Sequence, residues 1–174
     1  MANGIAGVSA AGRQPTWVIQ ASALTDVTSA TKSIPLTAVT GGTKIDCYHN
    51  FGGVELTREQ TTTERQRACE KVAQQIKIGE TINGTINAVW DQQASSEAEV
   101  NKAYGALPEG ADVFLFVANG HDTDKTPDAQ TKGDLWRVKV SQVDHTIAAA
   151  PDEDLMFRAT LSGSLFLPNI TLTA

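Results

Sequence analysis

The chain has 174 residues, of which 41% are hydrophobic and 20% charged, and its formal charge at pH 7 is −6. A chain of this size forms one ordinary globular domain, and its composition excludes a collagen, a disulfide scaffold and a membrane protein. Thr, Ser and Gly occur 20, 9 and 14 times, which favours strands and turns over helices. We therefore expect a mostly β protein.

The charge is unevenly distributed along the chain. Residues 1–87 carry 8 Lys and Arg against 7 Asp and Glu, whereas residues 88–174 carry 6 against 13. A subunit with this balance gains little from releasing counterions from a phosphate backbone, so we do not expect it to bind nucleic acid tightly. Weak contact with DNA remains open.

The N-terminal segment, residues 1–14, consists mainly of small residues and has neither a basic leader nor an apolar core. Elsewhere no apolar run approaches the ~20 residues that span a bilayer. We expect a flexible N-terminal arm on a protein that is kept in the cytosol or released by lysis, with no membrane contact.

The first predicted strands precede residue 58. Thr16–Gln20 is a short apolar strand, and 22–42 reads as a long loop with a short strand at 35–39. Alternation of apolar and polar residues over 45–51 predicts another strand, which resumes at 54–57.

Residues 58–67 are polar on both faces, which fits a hairpin or loop that projects from the core. An interaction arm and a solvated loop are equally compatible with this pattern. The next stretch, 68–78, has apolar spacings that suit either a helix or a strand, and the β context favours a strand. The candidate contact residues of the projecting segment are Arg58, Glu59, Glu64, Arg65 and Arg67.

The clearest alternation in the chain covers residues 81–90, which predicts a strand with one packed and one wet face. The packed face comprises Ile82, Gly84, Ile86, Ala88 and Trp90. The wet face comprises Thr81, Asn83, Thr85 and Asn87.

The segment 95–105 predicts the one convincing helix. Ser96 and Glu99 have the spacing of a capping box, and an apolar stripe follows. Residues 111–118 are apolar on both faces, which predicts a strand enclosed between a sheet partner and this helix.

Two further strands complete the predicted sheet. Trp136, Val138 and Val140 alternate with polar residues, and in the last strand, 157–165, the apolar positions are Phe157, Ala159, Leu161, Gly163 and Leu165. Seven or eight strands with one flanking helix form a β sandwich or half-barrel.

The loop 119–133 is acidic and precedes Asp134. Its carboxylates suggest calcium, but Pro127 stands sixth from Asp122, where an EF-hand loop requires Gly, and Gly133 stands twelfth, where it requires Glu. A solvated acidic loop is therefore favoured. The candidate residues of this loop are Asp122, Asp124, Asp128 and Asp134.

No sequence pattern points to a catalytic site. There is no Gly-x-Ser-x-Gly string, and the two cysteines, Cys47 and Cys69, are too few for a disulfide framework or a metal cluster. We expect no enzyme activity, no cofactor and no metal site.

The order of these segments resembles the major tail tube proteins of long-tailed bacteriophages, of the siphophage type. The resemblance covers about residues 15–167. It is carried by Val54–Gln60, Gly79–Gln92, the helix 96–105, Val113–Val117 and Phe157–Gly163.

This resemblance implies an N-terminal arm at 1–14, a β-sandwich domain at 15–167 and a C-terminal tail at 168–174. It implies hexameric rings that stack into a tube in the virion tail, assembled in the host cytoplasm, through which double-stranded DNA passes. The implied partners are other copies of the chain, the tape measure protein and the tail terminator. Thr81, Asn83, Thr85 and Asn87 would then face the lumen, and the 58–67 hairpin would contact another subunit.

Two alternatives remain at this point. One is another virion component, such as a decoration or tail-completion protein. The other is a carbohydrate-binding or adhesion module, which usually exposes aromatic residues for stacking on sugars, whereas Trp17, Trp90 and Trp136 lie on apolar strand faces.

Overall fold

The computed structural model describes residue 9 and residues 11–69, 71–147 and 153–174, which form one eight-stranded β sheet with two short α-helices. Two 3₁₀ turns, Ala21–Ala23 and Glu99–Asn101, accompany them. The elements are β1 (Thr16–Gln20), β2 (Ser33–Pro35), α1 (Leu36–Thr40), β3 (Thr43–Lys44), β4 (Val54–Arg65), β5 (Gln74–Val89), α2 (Lys102–Ala106), β6 (Asp112–Val117), β7 (Lys132–Thr146) and β8 (Met156–Thr173).

The strand order is β3-β1-β6-β7-β8-β5-β4, and every pair along this path is antiparallel. The remaining strand, β2, pairs in parallel with the end of β8. No helix of the described residues is both long and apolar enough to cross a membrane. The mostly β fold predicted from the sequence is confirmed.

The first apolar core lies on one face of the sheet, where distant strands share a single cluster. Val18 of β1, Ile86 of β5 and Phe157 of β8 all belong to it and are at most 2% exposed. Ala103 and Ala106 of α2 cover the same cluster. Strands from both ends of the strand order can share one core only if the sheet curls, as the half-barrel prediction requires.

The second core lies on the opposite face, around β1 and β6. Trp17, Phe114 and Phe116 are buried there, and Val39 of α1 packs against them. Successive residues of β6 therefore point into different cores, which explains why this strand is apolar on both faces. Its prediction as an enclosed strand is confirmed, with α2 on one side and α1 on the other.

The last strand departs from simple alternation. Gly163 pairs with Val138 but Leu165 pairs with Arg137, so Ser164 is an extra residue in β8. Such a bulge moves the following side chains to the other face. Leu165 therefore packs against the second core, whereas Phe157, Ala159 and Leu161 lie in the first. The prediction that all five apolar positions share one face is wrong at Leu165.

Two predicted strands are also wrong. The strand predicted over 45–51 is not formed, and the only strand of the region 43–53 is β3, Thr43–Lys44. The chain then turns: Tyr48 N donates to Ile45 O at 3.0 Å, and Gly52 has a φ of 83°. Residues 36–40 form α1 rather than a strand. Short apolar segments of this kind fit helix or strand equally well, and tertiary contacts decide between them.

The predicted helix at 95–105 is shorter than expected. A 3₁₀ turn precedes α2, and Ala98 stands at the N-terminal cap without a side-chain hydrogen bond, so the capping box of Ser96 and Glu99 is not formed. The buried side chain of Asn101 organises this region instead. Its Nδ2 donates to the carbonyl oxygens of Asp91 and Ser95, and its Oδ1 accepts from Asp91 N.

Candidate assembly surfaces

A polar face extends over four adjacent strands of the sheet, β4, β5, β8 and β7. On β5 it contains Thr81, Asn83, Thr85 and Asn87, of which the first two are exposed and the last two half-buried. In antiparallel pairs, directly opposed residues share a face. The register therefore adds Glu55, Thr57 and Glu59 of β4, Arg158, Thr160 and Ser162 of β8, and Lys139, Gln142 and Asp144 of β7.

Short hydroxyl and amide groups dominate this polar face. Thr57 Oγ1 donates to Asn83 O at 3.2 Å, and Ser141 Oγ lies 2.8 Å from Ser162 Oγ. The charged members are three carboxylates and two cations, so their sum is −1. A face with this composition is readily hydrated, but it lacks the concentrated positive charge that binds phosphate groups.

The polar face has two open borders among the described residues. β4 pairs only with β5, and beyond Val140 the ladder of β7 continues only with β8. Unpaired strand edges present rows of N–H and C=O groups to a further strand. The four-strand segment can therefore be extended at either border.

A long hairpin arm projects from one end of the sheet. The pairing of β4 with β5 continues to Arg65 and Gln74, whereas β8 accompanies β5 only as far as Ile82. Beyond Arg58 the arm is therefore two-stranded, and about 23 Å of β4 extends past that residue. The prediction of a projecting hairpin agrees with this arrangement. Of the stretch 68–78, favoured as strand, 74–78 is strand, whereas the described residues 68–69 and 71–73 belong to the connection, so the prediction is wrong there.

An ion cluster holds the root of the arm. The Arg58 guanidinium donates from Nη2 to Glu80 Oε2 at 2.9 Å and from Nε to Oε1, and Lys77 pairs with the same carboxylate. These contacts, chiefly the hydrogen bond from Arg58, lower the pKa of Glu80 to about 2. The Arg58 guanidinium also lies 5.2 Å from the ring centre of Phe166.

The candidate arm residues do not form one cluster. Arg58 is at the root, on the face of Val54 and Ile82, whereas Glu59 lies opposite Thr81 on the polar face. Glu64 and Arg65 end β4, and Arg67 lies in the turn that follows. Glu64, Arg65 and Arg67 are thus near the tip of the arm, whereas Arg58 and Glu59 are at its root.

The candidate acidic residues are not brought together either. Asp128 caps its own turn, because its Oδ1 accepts hydrogen bonds from Gln130 N and Thr131 Oγ1, both at 2.9 Å. These hydrogen bonds, chiefly the one from the Gln130 backbone, lower the pKa of Asp128. Asp134 lies in β7, where its Oδ1 accepts from Asn169 N at 3.0 Å. Asp122 accepts from Asp124 N at 3.4 Å. In the part of the chain that the structure describes, no group of three His, Cys, Asp or Glu side chains could hold a metal ion.

Comparison with known proteins decides the family. The family model described as phage tail tube protein matches residues 1–164. This chain belongs to the phage tail tube protein family. It is accordingly a structural protein of a phage tail, as the resemblance in the sequence predicts.

A solved tail tube structure agrees with this fold. The tail tube of SPP1 is 7% identical, with a TM-score of 0.53 over 92% of this chain and 78% of that one. A chain of the anti-feeding prophage baseplate is 9% identical, with a TM-score of 0.47 over 96% of both chains. A search of curated proteins finds no match.

The tail tube fold includes polar-face residues that were not proposed from the sequence. Lys139, Arg158 and Ser162 were part of predicted strands, but their alignment with Asn83 and Asn87 depends on the strand order. The alternation of residues identified the wet face of each strand, whereas only the register shows that these faces are continuous.

The tryptophans present little surface on which a sugar ring could stack, because Trp17 is 4% exposed and Trp90 and Trp136 are half-buried.

Proposed function

We propose that this tail tube protein polymerises as stacked hexameric rings, and that its polar face lines the channel through which DNA leaves the virion. The observation that supports the lumen assignment is the continuous four-strand polar face with an open border on each side. Four strands from each of six subunits would close a barrel of 24 strands. At ~4.8 Å spacing and ~40° tilt, its backbone diameter would be about 48 Å, which is wide enough for a duplex.

The chemistry of the polar face suits transient passage of DNA. Thr81, Asn83, Thr85 and Asn87 are uncharged, and the few charged side chains nearby nearly cancel. Binding of a protein to duplex DNA depends largely on cations that displace counterions from phosphate. A channel lined in this way would stay hydrated and would not retain the duplex.

The projecting arm and the chain termini belong to the assembly in this proposal. An isolated two-stranded hairpin is marginally stable in water, so the arm would gain stability against another subunit. Residues 1–8 and 10 of the N-terminal arm lie outside the described residues. Residues 168–173 continue β8, with Ile170 and Leu172 buried, so the proposed tail boundary at 168 falls inside a strand.

The remaining partners rest on the resemblance to siphophage tail tubes. These are the tape measure protein inside the tube and the tail terminator at its end, with assembly in the host cytoplasm. Copurification of these proteins with tagged tubes from infected cells would test each partner.

The lumen assignment is tested by adding cations to the polar face. Concentrated wild-type protein is expected to form rings or tubes in negative-stain micrographs, and a persistent monodisperse monomer would contradict the proposed function. The double variant Thr85→Lys with Asn87→Lys should still form tubes. Phage particles carrying this variant should eject DNA more slowly or retain it, because the new ammonium groups attract phosphate.

A matched control places the same charge elsewhere. Ser22→Lys with Thr25→Lys changes two exposed residues in the connection after β1, outside the polar face, and should leave ejection unchanged. Equal ejection by the two double variants would show that Thr85 and Asn87 do not face the lumen.

A further inference from the structure

A cavity of about 570 Å³ lies between the first residues of β4, the end of β6 and the start of β7. Its apolar walls are formed by Val54, Leu56, Val117 and Trp136. Phe51 also lines it and is 79% exposed. A volume of this size holds a small ligand or several side chains, and large apolar groups left exposed beside a cavity are typical of a binding surface.

The polar groups of the cavity favour a neutral occupant. Asp46 pairs with Lys44 at 3.3 Å and also accepts a hydrogen bond from Thr123 Oγ1, so its charge is already compensated. His49 Nδ1 lies 3.0 Å from Asn50 O, whereas His49 Nε2 is buried and has no hydrogen-bond partner among the described residues. A buried nitrogen of this kind indicates that a partner for this wall is still to be supplied.

The N-terminal segment passes along this cavity. Gly12 O accepts a hydrogen bond from Thr123 N at 2.9 Å, which holds the segment against the loop that follows β6. Ala11 and Gly12 themselves line the cavity, and Gly12 has a φ of 65°, so the chain turns there. Residues 1–8, which lie outside the described residues, are therefore attached to the chain at the rim of the cavity.

The composition of residues 1–8 suits the cavity. They comprise Met1, Ile5, Val8, one asparagine, two alanines and two glycines, and none of them is charged. Their entry into an apolar cavity therefore removes no charge from water. Ile5 stands six residues before Ala11, and a chain of that length reaches up to about 20 Å.

The short connection also favours the segment of the same chain over that of a second copy. A short flexible tether gives its segment an effective concentration in the millimolar range. At micromolar protein concentration, the segment of another molecule is far more dilute. The cavity is therefore filled from within its own subunit unless the segment is held elsewhere.

We propose that residues 1–8 occupy this cavity of their own chain before assembly, with Ile5 and Val8 packed against Phe51 and Trp136. The segment covers the exposed ring of Phe51 in the single subunit. It has to leave the cavity before it can contact another copy. This inference goes beyond the proposed function, because it concerns the subunit before any ring is formed.

The thiol of Cys47 provides the test, because Cys47 is exposed and lines the cavity. In the Cys69→Ser chain it is the remaining cysteine. Deletion of residues 1–8 from this chain should raise the rate at which a neutral maleimide alkylates Cys47 about tenfold, since a tethered segment covers the thiol most of the time. Ile5→Asp with Val8→Asp should raise the rate similarly, because carboxylates do not enter an apolar cavity.

Controls separate docking of the segment from other effects. Ser22→Asp with Thr25→Asp adds the same charge at two exposed residues outside the cavity and should leave the alkylation rate unchanged. The circular dichroism spectra of all variants should match that of the Cys69→Ser chain. The rate in the full-length chain should not depend on protein concentration, because the segment belongs to the same molecule.

The inference is overturned if neither the deletion nor the Ile5→Asp and Val8→Asp change raises the alkylation rate, or if the deletion alone raises it. It is also overturned if protection of Cys47 increases with protein concentration, because the segment would then come from a second copy. Each of these results leaves the proposed function standing. Absence of wild-type tubes under every condition would contradict the proposed function and leave this inference intact.

Discussion

At the scale of single residues, Asn101 shows how one buried amide replaces a helix cap. It is 4% exposed, and three of its hydrogen bonds join it to the backbone of Asp91 and Ser95. The connection between β5 and α2, whose one regular element is the 3₁₀ turn Glu99–Asn101, is thereby fixed in place. Nothing in the local sequence distinguishes this asparagine from a solvated one, so only the folded chain reveals its role.

Asn101→Ala should destabilise the fold. The change leaves the Asp91 N–H and two carbonyl oxygens without their partner in a buried site, which costs about 1–3 kcal/mol. Chemical denaturation should show a lower midpoint with an unchanged slope. Gln93→Ala, in the same connection but exposed, should leave the midpoint unchanged, and an equal loss in both variants would refute this role.

The alternation of residues over 81–90 correctly predicted a strand with one wet and one packed face. Ile82, Ile86 and Ala88 are buried, while Thr81 and Asn83 are exposed. This success has a simple reason, because a half-buried strand must alternate. The assignment of the wet face to the lumen stays a prediction, since the register orients the face but a single chain contains no channel.

At the scale of elements, the sequence predicted long alternating strands better than short segments. β5 from residue 81 onward and β6 were recognised because the first alternates strictly between apolar and polar residues and the second is a continuous apolar run. Residues 36–40 and 45–51 were not, since their few apolar side chains serve a helix and a turn as well as a strand. The bulge at Ser164 was also missed, because its cause is the pairing of β8 with β7 rather than any local residue.

The arm gives a prediction about pH. Since the pKa of Glu80 is lowered to about 2, ionised Glu80 stabilises the arm above its ordinary pKa of about 4.5, and this stabilisation is lost as pH falls toward 2. In tubes or in single subunits, hydrogen exchange of arm amides should therefore accelerate, relative to intrinsic rates, on acidification over that range.

Glu80→Gln should remove the pH dependence of arm protection and lower the protection already present at pH 6. Glu59→Gln, on the opposite face of the same hairpin, should retain the wild-type profile. If Glu80→Gln keeps the wild-type profile, the ion cluster with Arg58 and Lys77 does not hold the arm.

At the scale of the whole molecule, the division of the sheet into functional regions follows from its topology. The first core joins the two ends of the strand order, so the sheet curls and one stretch of its other face remains wet. The same antiparallel order leaves the arm projecting from one end of the sheet.

The sequence and the fold together account for a subunit that could both line a channel and stack. The net charge of −6 comes from residues 88–174, whereas the charged groups of the polar face nearly cancel. The overall charge therefore does not describe the surface that would meet DNA.

The most direct measurement is a cryo-EM reconstruction of tubes assembled from the wild-type protein. We expect 24 strands around the channel in each ring, four from each subunit, with Thr81, Asn83, Thr85 and Asn87 pointing into it. A channel lined by another face of the sheet, or a tube in which β4 and β7 meet no neighbouring subunit, would contradict the proposal.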